Sequence, residues 1–250
     1  MNSKTFEFKI KKLLKKLKLF NFFKNNILVR SILGYIHKKN LAKRKAIFDK
    51  YREQCLSEAS NALKDLDIVY WIDCGTLLGA IRDNDFISHD LDIDIGVLPS
   101  DNDCKKEIEL ALCKRKFIKV REFELDGDIV EQTFLFNGAT LDIFYYSENQ
   151  QGIYSYWFDE AENYKEISKG TFKEASGFNI YKAQSNIKIY IQYMEFKNIK
   201  YPIPQDYNLY LKGKYGERYM IKDENWNPDK CPSKSCVYDK YAVCRLYNSD

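Results

Sequence analysis

No apolar run in this 250-residue sequence is long enough to cross a bilayer. The most apolar N-terminal stretch, ILVRSILGYI, is broken by Arg30 and falls far short of the ~20 residues a spanning helix needs. A cleaved secretory signal is not expected either, because lysine interrupts each candidate apolar core. Histidine is scarce, and neither of the two lies near Cys231, Cys236 and Cys244. The spacing of those three thiols matches no zinc template. The seven cysteines are scattered and odd in number, which speaks against a disulfide framework and for a reducing compartment. Acids are nearly missing from residues 1–46, where 14 Lys/Arg stand against Glu7 alone. Internal repeats and low-complexity linkers are absent.

What is present describes a globular chain. It is 45% hydrophobic and 30% charged, too apolar for a disordered one. The 19 Tyr and 16 Phe supply large anchors for a mixed helix-and-strand core. The formal net charge of +4 hides an asymmetry, since a strongly basic start leaves the rest of the chain net acidic. We therefore divide the chain into a basic arm, residues 1–40, and a catalytic body, residues 41–250.

The arm has helical periodicity. Ile10, Leu13, Leu14, Leu17 and Phe20 form one stripe, and Lys11, Lys12, Lys15, Lys16 and Lys18 fill most of the remainder. Such a helix suits an anionic membrane surface, reached through residues 1–30, with each lysine near it adding roughly 1 kcal/mol. The alternative is a helix packed on the body with a solvated lysine face. Nucleic acid is not expected as a partner, because the acidic body offers no continuing basic groove.

In the body, Ile47, Phe48, Tyr51, Cys55, Ala59, Ala62 and Leu63 are spaced for one buried face of a helix over 41–64. DIVYWID (67–73) reads as a strand. CGTLLGAIRDND (74–85) reads as a tight turn and a short helix. LDIDIGVLP (91–99) is a second strand, and the stretch from Ser100 opens a helix with capping residues. Three strand-like runs follow, separated by Asp126-Gly127 and Asn137-Gly138, both strong hairpin signals. Residues 150–200 are aromatic and irregular, with further strands including IKIYIQYMEF. The tail holds a Pro-rich turn at 201–205, a helix near 205–214 and a long loop.

The chemistry centres on SHDLDIDIG (88–96). Alternate residues of a strand share a face, so Asp92 and Asp94 point the same way, roughly 7 Å apart. Asp90 joins them if the strand starts that early. Aligned carboxylates repel, and a hard divalent cation relieves them. Mg²⁺ fits best, with Mn²⁺ an alternative. The bland alternative is an exposed acidic face. Gly75-Thr76 follows a strand and opens a helix, where free N–H groups can meet a phosphate. Asp142, between Leu141 and Ile143, offers a third carboxylate, as a metal ligand or as the acceptor of a hydroxyl proton. Arg82 is spaced either to reach an anionic donor or to pair with Asp83, Asp85 or Asp90. The expected set is thus Asp92, Asp94 and Asp142 for catalysis and metal, with Gly75, Thr76, Arg82 and Asp90 for the donor phosphate.

The stretch WIDCGTLLGAIRDNDFISHDLDIDIG (71–96) resembles the signature of the LicD family of phosphotransferases, which includes the fukutin-type proteins. The tail YPIPQDYNLYLKGKYG and the later Trp226-Asn227-Pro228 resemble that family more weakly. The resemblance implies a nucleotidyltransferase-type fold: an α+β chain with a mixed sheet flanked by helices, here with the basic arm in front. It implies Mg²⁺-dependent transfer of a phospho-alcohol from a CDP-activated donor to a sugar hydroxyl of a surface glycan such as lipopolysaccharide or capsule. Phosphocholine, ribitol-phosphate and glycerol-phosphate are the cargoes it suggests. Carried over by position, Asp92 and Asp94 are the metal ligands, Asp142 the third carboxylate and Gly75-Thr76 the phosphate turn. The departure lies at His89 and Leu91. His89 stands where the family has Trp, and Leu91 interrupts the acid run, which bears on the choice of donor. His89 is either a partner for Asp90 or an exposed turn residue.

Two other readings share these residues. One is a nucleotidyltransferase that adenylylates a small molecule. The other is a non-catalytic scaffold held at a membrane by the arm. The expected location is cytoplasmic, peripheral on the inner face of a bacterial membrane. Aromatics in 145–210 are either a choline pocket through cation–π contact or core.

Overall fold

The computed structural model describes residues 27–223 and 226–248. The amphipathic stripe expected at residues 10–20 lies outside the described residues. The chain divides into two compact units, residues 1–50 and 51–250. The first contains the start of helix α1 (Ile27–Lys64), where Lys45 and Asp49 pair at 3.0 Å across one turn. Sequence periodicity starts this helix at 41, but the structure begins it at Ile27. No proline interrupts residues 27–64, and Gly34 is the sole glycine there, so nothing local stops the helix from extending.

The second unit is α+β, built on a mixed ten-stranded sheet. Its elements in chain order are β1 (Val69–Ile72), α2 (Cys74–Asp83), β2 (Asp92–Leu98), α3 (Asn102–Lys114), β3 (Ile118–Leu125), β4 (Asp128–Phe136), β5 (Ala139–Tyr145), β6 (Ser147–Asn149), β7 (Gly152–Lys169), β8 (Phe172–Ser185), β9 (Ile191–Phe196), β10 (Ile199–Pro204), α4 (Tyr207–Tyr215), β11 (Lys234–Val237) and β12 (Ala242–Tyr247). The sheet order is β1-β2-β5-β4-β3-β12-β8-β7-β6, with β11 added to β8. Strands β9 and β10 form a separate ribbon.

Among the described strands, β2 and β5 alone run parallel, and this pair places the site. Helix α3 and the β3–β4 hairpin form the crossover between them. Asp101 starts α3, its carboxylate accepting from the Cys104 N–H at 2.9 Å. The two Gly-containing hairpin turns have positive φ at both central residues, 52° and 90° at Asp126-Gly127 and 49° and 87° at Asn137-Gly138. That geometry matches the right-handed twist of the flanking strands and fixes their register. Ile93, Ile95, Leu141 and Ile143 are fully buried between the acids. Burying four such side chains stabilises the sheet by roughly 1.5–3 kcal/mol each.

Strand β12 was not expected. It inserts antiparallel between β3 and β8, and its Ala242 and Cys244 join Phe123, Leu125, Val130, Ala175 and Ile180 in a core cluster. The expected turn at YPIP is instead part of β10, paired with β9. Both strands of a two-stranded ribbon are edges, so Pro202 and Pro204 remove no essential ladder hydrogen bond.

Candidate active site

Asp73 ends the β1 segment and caps α2. Its carboxylate accepts from the Cys74 N–H at 2.6 Å, and its own N–H donates to the Asp94 carbonyl at 2.9 Å. Helix α2 therefore begins at Cys74, one residue before the expected Gly75-Thr76 turn. Cys74 is left-handed at φ 41°, a conformation that persists only where surroundings enforce it. Beneath it, Asp73 is fully buried against Lys214 of α4, with Nζ 3.1 Å from Oδ1. Tyr146 and Tyr210 donate to the same carboxylate at 2.6 and 2.8 Å. Lys214 donates to the Tyr146 hydroxyl at 2.7 Å and to the Cys74 sulfur at 3.1 Å. Burial works against the Lys214 ammonium, but Asp73 and its neighbours hold the pKa well above the ordinary value. A buried pair of this kind is tolerable because further hydrogen bonds satisfy both members.

The Gly75-Thr76 turn acts on Asp94. The Gly75 N–H donates to Asp94 Oδ2 at 3.0 Å, and the Asp94 N–H donates to Thr76 Oγ1 at 2.9 Å. Thr76 is buried, while Gly75 lines the cleft. Glycine is required at 75 by crowding rather than by φ. A Cβ there would stand 2.3 Å from Asp90 Oδ2 and 3.4 Å from Asp94 Oδ2. Gly96, in register with Trp71, likewise leaves room for the indole.

Asp94 and Asp142 face each other across the parallel pair, Asp94 in register with Asp142. Asp92 lies two residues earlier on β2 and faces the same cleft. Asp90 precedes the strand, in the turn closed by its N–H to the Ile87 carbonyl, and its carboxyl reaches Gly75. His89 is 70% exposed, with Nε2 3.9 Å from Asp90 Oδ1. Burial, and then the charges of Asp92, Asp142 and Asp90, push the Asp94 pKa well above the carboxylate range. Burial also raises that of Asp90, against the opposing charges of His89 and Arg82.

Asp142 has partners that the sequence did not announce. The Thr133 hydroxyl donates to Asp142 Oδ1, and Arg121 Nη2 lies 3.4 Å from the same oxygen. Arg121 also meets Glu131 at 2.7 Å and Thr133 Oγ1 at 3.1 Å. Glu131 is buried, which raises its pKa to about 7 despite Arg121, and the Asp142 charge adds to the rise. Alternation on β3 and β4 could have marked Arg121, Glu131 and Thr133, but their convergence depends on strand order. Arg82 lines the cleft with both ends of its fork on Asp83, Nε at 3.2 Å and Nη2 at 2.9 Å.

Asp90, Asp92, Asp94, Asp142, Glu131, Arg82 and Arg121 line a cleft of about 970 Å³. Trp157 and Phe158 lie on its wall, whereas Tyr146, Tyr201 and Tyr210 are core, so the aromatics of 145–210 divide between the two expectations. The tail adds further lining, including Tyr215, Arg218, Lys222, Asp223, Trp226 and Lys234. Among the described residues, no three His, Cys, Asp or Glu side chains form a ready-made metal cage. The donor set still fits a hard cation. Mg²⁺ commonly takes one or two carboxylates and fills its octahedron with phosphate oxygens and water. Asp92 and Asp94 offer such a pair, and the neighbouring acids would gain from a counter-charge. No described helix is long and apolar enough to cross a membrane.

Comparison with known proteins adds the family context. The family model described as LicD/FKTN/FKRP, nucleotidyltransferase domain, matches residues 67–206. The match contains both carboxylate strands and stops before α4 and the tail. The ribitol-5-phosphate transferase FKTN of Mus musculus is 28% identical over 187 residues, covering 74% of this chain and 37% of its own length. The protein of the same name from Homo sapiens is 25% identical over 192 residues, covering 74% of this chain and 36% of its own. The match thus spans a little over a third of these curated relatives.

Proposed function

The chain belongs to the LicD/FKTN/FKRP family, and from that premise we propose that it transfers a phospho-alcohol from a CDP-activated donor to a sugar hydroxyl of a glycan. The observation that carries this reading is the register of Asp94 with Asp142 in a cleft large enough for a nucleotide. The relatives' printed activity, ribitol-5-phosphate transfer, favours a polyol phosphate over phosphocholine as the cargo.

Asp92 and Asp94 would hold a divalent cation, Mg²⁺ or Mn²⁺, which when bound would neutralise the donor's phosphate oxyanions and make phosphorus a better electrophile. The protein does the rest by position. The Gly75 N–H holds the Asp94 carboxylate, the Thr76 hydroxyl accepts from the Asp94 backbone N–H, and bare Gly75 lets Asp90 close in beside them. Asp142, steadied by Thr133 and Arg121, accepts the proton of the attacking sugar hydroxyl. Its Oδ1 is engaged by those two groups, which leaves Oδ2 for that proton. Arg121 offsets part of the charge gathered there. The Asp73–Lys214 pair locks α4 under the start of α2, so the turn cannot drift from the strands.

The basic arm places the enzyme at the inner face of a bacterial membrane, beside its glycan acceptor. What supports this is charge alone, the excess of lysine over acid in residues 1–46.

A thermal-shift screen in Mg²⁺ against CDP-ribitol, CDP-glycerol, CDP-choline, CTP and ATP tests the reading. A CDP-alcohol at about 100 times its Kd should stabilise the fold by about 2.7 kcal/mol. Stabilisation by ATP alone would favour adenylylation. Stabilisation by none of them would favour a scaffold.

A further inference from the structure

Cations line the cleft at five positions, and four are neutralised by acids. Arg82 is held by Asp83 at 2.9 Å, Arg121 by Glu131 at 2.7 Å, Lys222 by Asp83 at 3.2 Å and Lys234 by Asp229 at 2.8 Å. Arg218 is the exception, with no carboxylate within ion-pair distance among the described residues. It stays unpaired although seven carboxylates line the same cleft, Asp223 of its own tail segment among them.

The local fold fixes where Arg218 stands. Helix α4 is anchored by Lys214 to Asp73, and Gly216, at φ 88°, ends the helix. Arg218 follows two residues later. Tyr215 and Trp226, ring centroids 4.7 Å apart, line the cleft from the same tail segment. A guanidinium is a planar fork suited to two phosphate oxygens at once. Arg82, the residue expected from sequence to meet the donor, already has that fork on Asp83.

We propose that Arg218 binds a phosphate group of the nucleotide donor, making the tail after α4 the part of the cleft that recognises the donor's anionic end. This rests on the donor class proposed above. It goes beyond the family match, which ends at residue 206.

Calorimetric titration of the full chain in Mg²⁺ with CDP, CMP and cytidine tests it. Arg218→Gln should weaken CDP binding roughly ten- to a hundred-fold and leave cytidine unchanged, as expected for a lost charged hydrogen bond. Arg218→Lys keeps the charge without the fork and should recover part of the CDP affinity. Lys240→Gln removes a cation of the same tail that pairs with Asp126, neither of them in the cleft lining, and should change nothing. Unchanged CDP affinity in Arg218→Gln would overturn the role of Arg218 while leaving the donor class standing. An equal loss for cytidine would make Arg218 a packing residue and overturn it too. If Arg218→Gln raises KM for the glycan alone, the phosphate belongs to the acceptor and the assignment fails. A wild-type chain that binds no CDP removes the donor reading and the Arg218 role together.

Discussion

Replacing Gly75 with alanine separates the site from the fold. The new methyl would stand 2.3 Å from Asp90 Oδ2, about 1 Å inside ordinary contact, and 3.4 Å from Asp94 Oδ2. Asp90 sits in a turn and its side chain is 26% exposed, so it can swing away. Overpacking costs typically 1–3 kcal/mol, and removing a glycine from a helix returns up to about 1 kcal/mol. The net loss of stability should therefore stay near 1 kcal/mol, with the fold intact. Turnover should suffer far more, because a displacement of about 1 Å in a positioned group can cost roughly a hundred-fold in rate. Gly96→Ala is the contrast. Its methyl would meet three Trp71 indole atoms at 2.5–2.7 Å, and Trp71 is fully buried with nowhere to go. That variant should lose about 3 kcal/mol or more. Urea unfolding and kcat/KM for phospho-alcohol transfer, measured on both variants, check the pair. Wild-type kcat/KM in Gly75→Ala would refute the claim that the bare Cα holds Asp90 and Asp94 in place.

Other outcomes follow from the same geometry. Asp94→Asn should abolish turnover yet stabilise the metal-free protein at pH 8, because burial and like charges make the Asp94 carboxylate unfavourable there; denaturation in chelator reads this. Glu131, raised from 4.5 to about 7 in the fold, contributes its full stability below about pH 4.5 and loses it as pH rises through 7. This group should cost chelated protein on the order of 3 kcal/mol over that range, and Glu131→Gln should make the profile shallower. Lys214→Met leaves the Asp73 carboxylate buried without its ammonium and should cost roughly 3–5 kcal/mol in urea unfolding. Deleting residues 1–30 should release the protein from anionic vesicles in a sedimentation assay, and unchanged binding would refute the role of the arm.

The parts of the fold legible in the sequence were those governed by near neighbours. Asp126-Gly127 and Asn137-Gly138 named their hairpins because both turns need positive φ. Alternation at Ile93 and Ile95, and at Leu141 and Ile143, marked two buried faces and left Asp92, Asp94 and Asp142 on the other side. What stayed hidden depends on residues far apart in the chain. Asp73 and Lys214 are 141 positions apart, and neither is unusual in its own segment. Arg121, Glu131 and Thr133 meet Asp142 only once β3, β4 and β5 lie side by side. The β7–β8 hairpin escaped because its pairing breaks between Glu160 and Lys165, so no clean alternation survives. Gly177, at φ 86°, lies close to Asn163 within that break. Gly75-Thr76 was visible as a special turn. Its crowding against two carboxylates was not, since that requires knowing which strand packs over it.

The most direct test is the mass of the transferred group. The chain is incubated with Mg²⁺, a CDP-alcohol and a glycan acceptor, beside a parallel reaction with ATP, and the acceptor is weighed by mass spectrometry. The acceptor should gain the phospho-alcohol with release of CMP, a gain lost in folded Asp92→Asn and Asp94→Asn. A gain of AMP from ATP, or full transfer by Asp92→Asn, would contradict it.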